Sequence, residues 1–138
     1  MKSFFFTLIL FACIIVGSAL IYDKKYTKKY VKDASERYLA CCKQLVPSAA
    51  KYCSYEATIE TIGQGIAALS LDEINLVQRC FFNNQNQTGC CSGAGMNTLC
   101  AAGCDGHHVF DHRPKYRLCN VDASFKCAIQ AQFLKKTI

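Results

Sequence analysis

Apolar residues recur along this chain every three or four positions, and runs of strand-like alternation do not stand out. Tyr30, Ala34, Tyr38, Cys41, Cys42 and Leu45 fall on one helical face. That helix should stop before Pro47, because the residue ahead of a proline is pushed out of the α region. Pro47 suits the first turn of a second helix, which would carry Tyr52 and Cys53 and run on past Glu56. From Ala57 to Leu69 the pattern softens, and Gly63 and Gly65 weaken any helix there. Ser70-Leu71-Asp72-Glu73 is a strong helix start: Ser70 can cap, Glu73 can complete a capping box, and Leu69 with Ile74 can form a hydrophobic staple. The spacing of Ile74, Val77, Cys80 and Phe81 then predicts a helix over 71–82. Residues 83–89 form a polar loop. Phe125, Ile129 and Phe133 mark a C-terminal helix with Cys127 near its apolar face, and Lys135 and Lys136 suit its negative end. The expected fold is mostly all-α, a small disulfide-rich secreted domain of four to five short helices.

The first nineteen residues follow another logic. Lys2 is followed by an apolar run from Phe4 to Val16, interrupted by Thr7, and then by the small residues Gly17, Ser18 and Ala19. The run falls short of the ~20 residues of a membrane span, so 1–19 reads as a secretory signal peptide rather than an anchor. No later stretch is long and apolar enough to span a bilayer. The expected mature chain, 20–138, has the length of a single domain.

Its cysteines carry the strongest signal. Excluding Cys13 leaves ten: Cys41, Cys42, Cys53, Cys80, Cys90, Cys91, Cys100, Cys104, Cys119 and Cys127. An even number in a secreted chain permits five disulfides and no free thiol. Neighbouring Cα atoms are ~3.8 Å apart, short of the ~4.4–6.8 Å usual in a disulfide. Cys41-Cys42 and Cys90-Cys91 should therefore each reach two different segments, acting as hubs. Cys100 and Cys104 are four apart, so on a helix both sulfurs would face the same neighbour. The alternative, a zinc site, lacks a second matching Cys pair. Ten cysteines allow on the order of a thousand pairings, and the sequence does not choose among them.

Charge and polar motifs add less. The chain carries a formal net charge of +6. A basic N-terminal arm, 20–35, holds Lys24, Lys25, Lys28, Lys29 and Lys32 among tyrosines. It reads either as a binding arm for acidic glycans or a membrane surface or as a solvated chain end. Asn86-Gln87-Thr88 is an N-glycosylation sequon. His107, His108 and His112 cluster with Asp111; His108 and His112 could share a metal if helical, but H-x3-H alone is a weak zinc signature and an exposed polar loop is the competing reading. No cofactor is implied. No nucleic-acid-binding motif is present.

The two halves echo each other. Cys41-Cys42, Val46-Pro47 and Cys53 parallel Cys90-Cys91, Met96-Asn97 and Cys104, with Ala49 standing where the second half has Cys100. The same residues carry a family resemblance. Tyr38-Leu39-Ala40-Cys41-Cys42, Val46-Pro47 and Cys53-Ser54-Tyr55-Glu56 are followed by Cys80, Cys90-Cys91, Cys100-x3-Cys104-Asp105-Gly106, Tyr116-Arg117-Leu118-Cys119 and Cys127. The combination resembles the DB module, a cysteine-rich extracellular domain of nematodes, over 36–134; the whole of 36–138 is read as the DB-like module. The resemblance implies secretion and a helical, disulfide-held fold, and it implies no activity. Family members usually have twelve cysteines. The two absences fall at Ala49 and within 57–71, which would remove one bridge as a unit.

The expected function is that of a secreted, non-enzymatic extracellular interaction or matrix-associated module with an extracellular protein or matrix partner. With every mature cysteine paired no thiol nucleophile remains, and Ser92 lacks the G-x-S-x-G setting of a nucleophile elbow. Two alternatives stand beside it: a small carrier of lipid or another apolar ligand, lined by Ile74, Val77, Phe81, Phe82, Phe125, Ile129 and Phe133, and a basic defence or inhibitor protein acting through the arm.

Overall fold

A computed structural model describes residues 26–111 and 119–135. The expected signal peptide, residues 20–25 of the basic arm, and His112 lie outside them. Among the described residues the fold is all-α: α1 Lys28–Leu45, a 3-10 segment Pro47–Tyr52, α2 Ile59–Ala67, α3 Leu71–Phe81, α4 Thr88–Gly93, α5 Thr98–Ala102 and α6 Val121–Ala131. The small disulfide-held all-α fold is as expected, with six α-helices among the described residues, two of them of six residues or fewer, beside the four to five expected.

Local chemistry explains most boundaries. Thr27 caps α1 by accepting the Tyr30 N–H, so the helix begins inside the stretch read as an arm. It ends at Leu45, just before Pro47. Pro47 opens a short 3-10 turn that stops at Tyr52, not the longer helix expected past Glu56. Helix α3 starts at the predicted capping box: Ser70 Oγ accepts the Glu73 N–H, and Glu73 Oε2 accepts the Ser70 N–H at 2.8 Å. Helix α2 forms despite its two glycines. Thr58 caps it, and Gly65 lies against the Tyr52 ring, so close that a Cβ there would stand 2.5 Å from it.

The core collects where α1, α3 and α6 meet. Ala34, Tyr38 and Cys42 line the inner face of α1, and Phe82 is almost completely buried. Tyr38, Tyr55, Phe81 and Phe125 pack ring to ring at centroid distances of 5.0–6.1 Å. At one end Tyr26 stacks on Tyr30 and Tyr30 on Phe133, the latter at 4.2 Å. No helix of the described residues is long and apolar enough to cross a membrane.

Candidate functional site

All ten cysteines among the described residues are bridged: Cys41–Cys80, Cys42–Cys53, Cys90–Cys127, Cys91–Cys104 and Cys100–Cys119. Both vicinal pairs act as hubs. Cys41 ties the last turn of α1 to α3, while Cys42 holds the end of the 3-10 segment. Cys90 ties α4 to α6, while Cys91 closes the loop beyond α5. The bridge spans match as well, with sequence separations of 39 and 11 in the first half against 37 and 13 in the second. The hub bridges of the two halves therefore share one topology, and among the described residues no disulfide crosses between the halves.

One expectation about the second hub is corrected. Cys100 and Cys104 do not address the same neighbour: Cys100 joins Cys119 and Cys104 joins Cys91. Helix α5 ends at Ala102, so Cys104 has left the helical register that would have aligned the two sulfurs. Cys100–Cys119 fastens α5 to the residue ahead of the Asn120 cap of α6. In the first half Ala49 is buried in the corresponding place. There a hydrogen bond takes over, with Ser48 Oγ donating to Glu73 Oε1 at 2.5 Å at the start of α3. That bond and the two from Ser70 hold the Glu73 carboxyl below its ordinary range.

The halves are joined instead by a buried polar knot. Gln132, 2% exposed, donates through Nε2 to Tyr55 Oη at 2.7 Å and to the Cys80 carbonyl at 2.9 Å. The Tyr55 hydroxyl donates to the Phe81 carbonyl at 2.5 Å, and the Tyr55 N–H donates to Ser35 Oγ. Burial pushes the Tyr55 phenol well above its ordinary value of 10.0, against the opposing pull of the Gln132 hydrogen bond. Tyr38 moves the same way for the same reason. Sequence reasoning missed Gln132. The signal was there: it stands seven residues after Phe125, on the stripe that also holds Ile129, so a polar side chain occupies a core position.

The remaining candidates lie apart from the knot. Asn86 is exposed in the α3–α4 loop, which Asn83 and Asn84 turn by adopting left-handed conformations. Its Oδ1 accepts the Thr88 N–H at 3.0 Å, and its backbone forms an isolated antiparallel bridge with Asp105. His107 points to Asp105, Nδ1 to Oδ1 3.3 Å, and His108 meets the Phe110 ring edge-on. No three His, Cys, Asp or Glu side chains among the described residues are placed to hold a metal ion. The aromatic residues set aside for a ligand cavity largely pack on one another. The hollow beside Phe81 and Phe82 has a volume of about 160 Å³, below the ~300–1,000 Å³ of small-molecule sites. Two larger, open clefts are present: about 410 Å³ between Val31, Tyr55, Phe125 and Ile129, the last two among the residues set aside for the cavity, and about 600 Å³ between Arg37, Leu45 and Leu134.

Fold and bridges together define a small, disulfide-rich, all-α domain of the extracellular type. No family model, curated protein or solved structure matches the chain.

Proposed function

We propose that this protein is a secreted, non-enzymatic interaction module of the DB-module kind, glycosylated at Asn86 and acting on an extracellular protein or matrix partner. The observation that carries this reading is the complete pairing of the ten mature cysteines. Stable disulfides belong to oxidising compartments, and paired sulfurs leave no thiol for nucleophilic or redox chemistry. The buried polar groups support the same reading, because Tyr55 and Gln132 spend their hydrogen bonds on joining the halves. Asn86 supports the glycan, being exposed with its side-chain oxygen already engaged by its own loop.

Expression of the full chain in eukaryotic cells tests this. The protein should reach the medium at the mature mass beginning at Leu20, ten hydrogens lighter than its reduced form. A glycosidase should remove extra mass that Asn86→Gln lacks. Retention inside the cell, or free thiols in the secreted protein, would contradict the proposal.

A further inference from the structure

The first two turns of α1 break a rule of helix electrostatics. The N-terminus of a helix carries positive partial charge and favours acidic side chains. Here the first turn has no acidic residue, and Lys28, Lys29 and Lys32 are all exposed within it or one turn on. Lys29 is offset by Asp33 at 3.3 Å, but no carboxylate among the described residues lies within ion-pair distance of Lys28 or Lys32. Such departures from local preference concentrate where function demands them.

Tertiary structure adds a fourth cation. The Tyr26 hydroxyl donates to the Lys126 carbonyl, which brings α6 alongside the start of α1, and Lys126 is exposed and without an ion pair among the described residues. The carboxylates nearest in sequence are Asp33 and Glu36 on α1, Asp122 on α6, and Asp23, which lies outside the described residues. The platform is firmly held, because Tyr26 stacks on Tyr30 and Tyr30 on Phe133. None of the large apolar side chains that are exposed among the described residues lies in the first turns of α1. The lysines therefore stand without an apolar anchor of the kind a membrane-surface helix buries in lipid. Lys28 and Lys32 are one turn apart, ~6 Å along the axis, a spacing suited to successive anionic groups on a polymer.

From this we infer that Lys28, Lys32 and Lys126, with Lys29 beside them, form a docking face for a sulfated polysaccharide. The inference rests on the extracellular reading above and names its partner. Heparin is the probe. The secreted protein, with its five bridges verified by mass, should bind heparin at about 0.15 M salt, with affinity falling steeply as salt rises, as for other polyanion contacts. The triple variant K28Q/K32Q/K126Q should lose at least tenfold in affinity. A control with the same loss of charge on other exposed sites, K43Q/R79Q/K135Q, should lose less than threefold. Hyaluronan, which offers carboxylates alone, should bind at least tenfold more weakly than heparin.

Equal losses in the two variants would reduce the effect to net charge and overturn the site. Equal binding of hyaluronan would overturn the preference for sulfate. Binding to phosphatidylserine vesicles without binding to heparin would assign the face to membranes instead. A secreted, fully bridged protein that ignores heparin sinks this inference alone, whereas failure of secretion or bridging sinks the reading beneath it.

Discussion

At the scale of single residues, the two glycines of α2 separate intrinsic preference from packing. Gly63 faces open space, and Gly65 lies against the Tyr52 ring. Alanine is the better helix former by about 1 kcal/mol. Gly63→Ala should therefore raise stability by up to about that amount, while Gly65→Ala should lower it because the new methyl meets the ring; thermal unfolding of the two variants checks the opposite signs. The knot makes a second prediction. Gln132→Leu should cost about 1–3 kcal/mol by leaving buried groups without a partner. Tyr55 adds a pH signature. Its phenol stays protonated in the folded protein well above the ordinary value of 10.0, so the folded form holds a proton that the unfolded chain releases. That contribution is fully present below pH 10 and is lost as pH climbs from there toward the folded value. Denaturant titrations at rising alkaline pH should show stability falling, and more shallowly for Tyr55→Phe.

At the scale of elements, sequence reading succeeded where the signal was local. Ser70 and Glu73 are three residues apart, and the box they form is set by the backbone of one helical turn. Ser70→Ala should cost about 1 kcal/mol, measurable by chemical denaturation. Other elements were hidden because distant residues decide them. Helix α2 looked weak from Gly63 and Gly65, but Gly65 supplies the close approach that Tyr52 needs. The second helix was expected to run past Glu56; Cys53 instead sits beyond a 3-10 turn, fastened to Cys42. Cys100 and Cys104 looked like one helical face until the chain left the helix at Ala102. Short helices such as α4 and α5 carry too few residues for periodicity to show.

At the scale of the molecule, the hub behaviour of the vicinal cysteines was legible, because adjacent sulfurs rarely bond each other, but their partners were not. Pairing depends on which helices pack together, and that is settled in the core around Tyr38, Tyr55 and Phe81. The observed pairing orders the bridges by importance. Cys41–Cys80 closes a longer loop than Cys42–Cys53, with separations of 39 and 11. Loop-closure entropy assigns them about 4 and about 3 kcal/mol. Replacing both members of the longer bridge by alanine should therefore lower the unfolding midpoint further than the same change in the shorter one, a comparison that calorimetry makes directly.

Each half is stapled within itself, and noncovalent contacts, led by the Gln132–Tyr55 knot, join the two. Peptide mapping of the secreted protein without reduction tests this most directly, with cleavage between all cysteines except within the vicinal pairs. Three linked sets are expected: one holding Cys41, Cys42, Cys53 and Cys80, a second holding Cys90, Cys91, Cys104 and Cys127, and a third holding Cys100 and Cys119. Any peptide pair that joined a cysteine of the first set to one of the other two would contradict this arrangement.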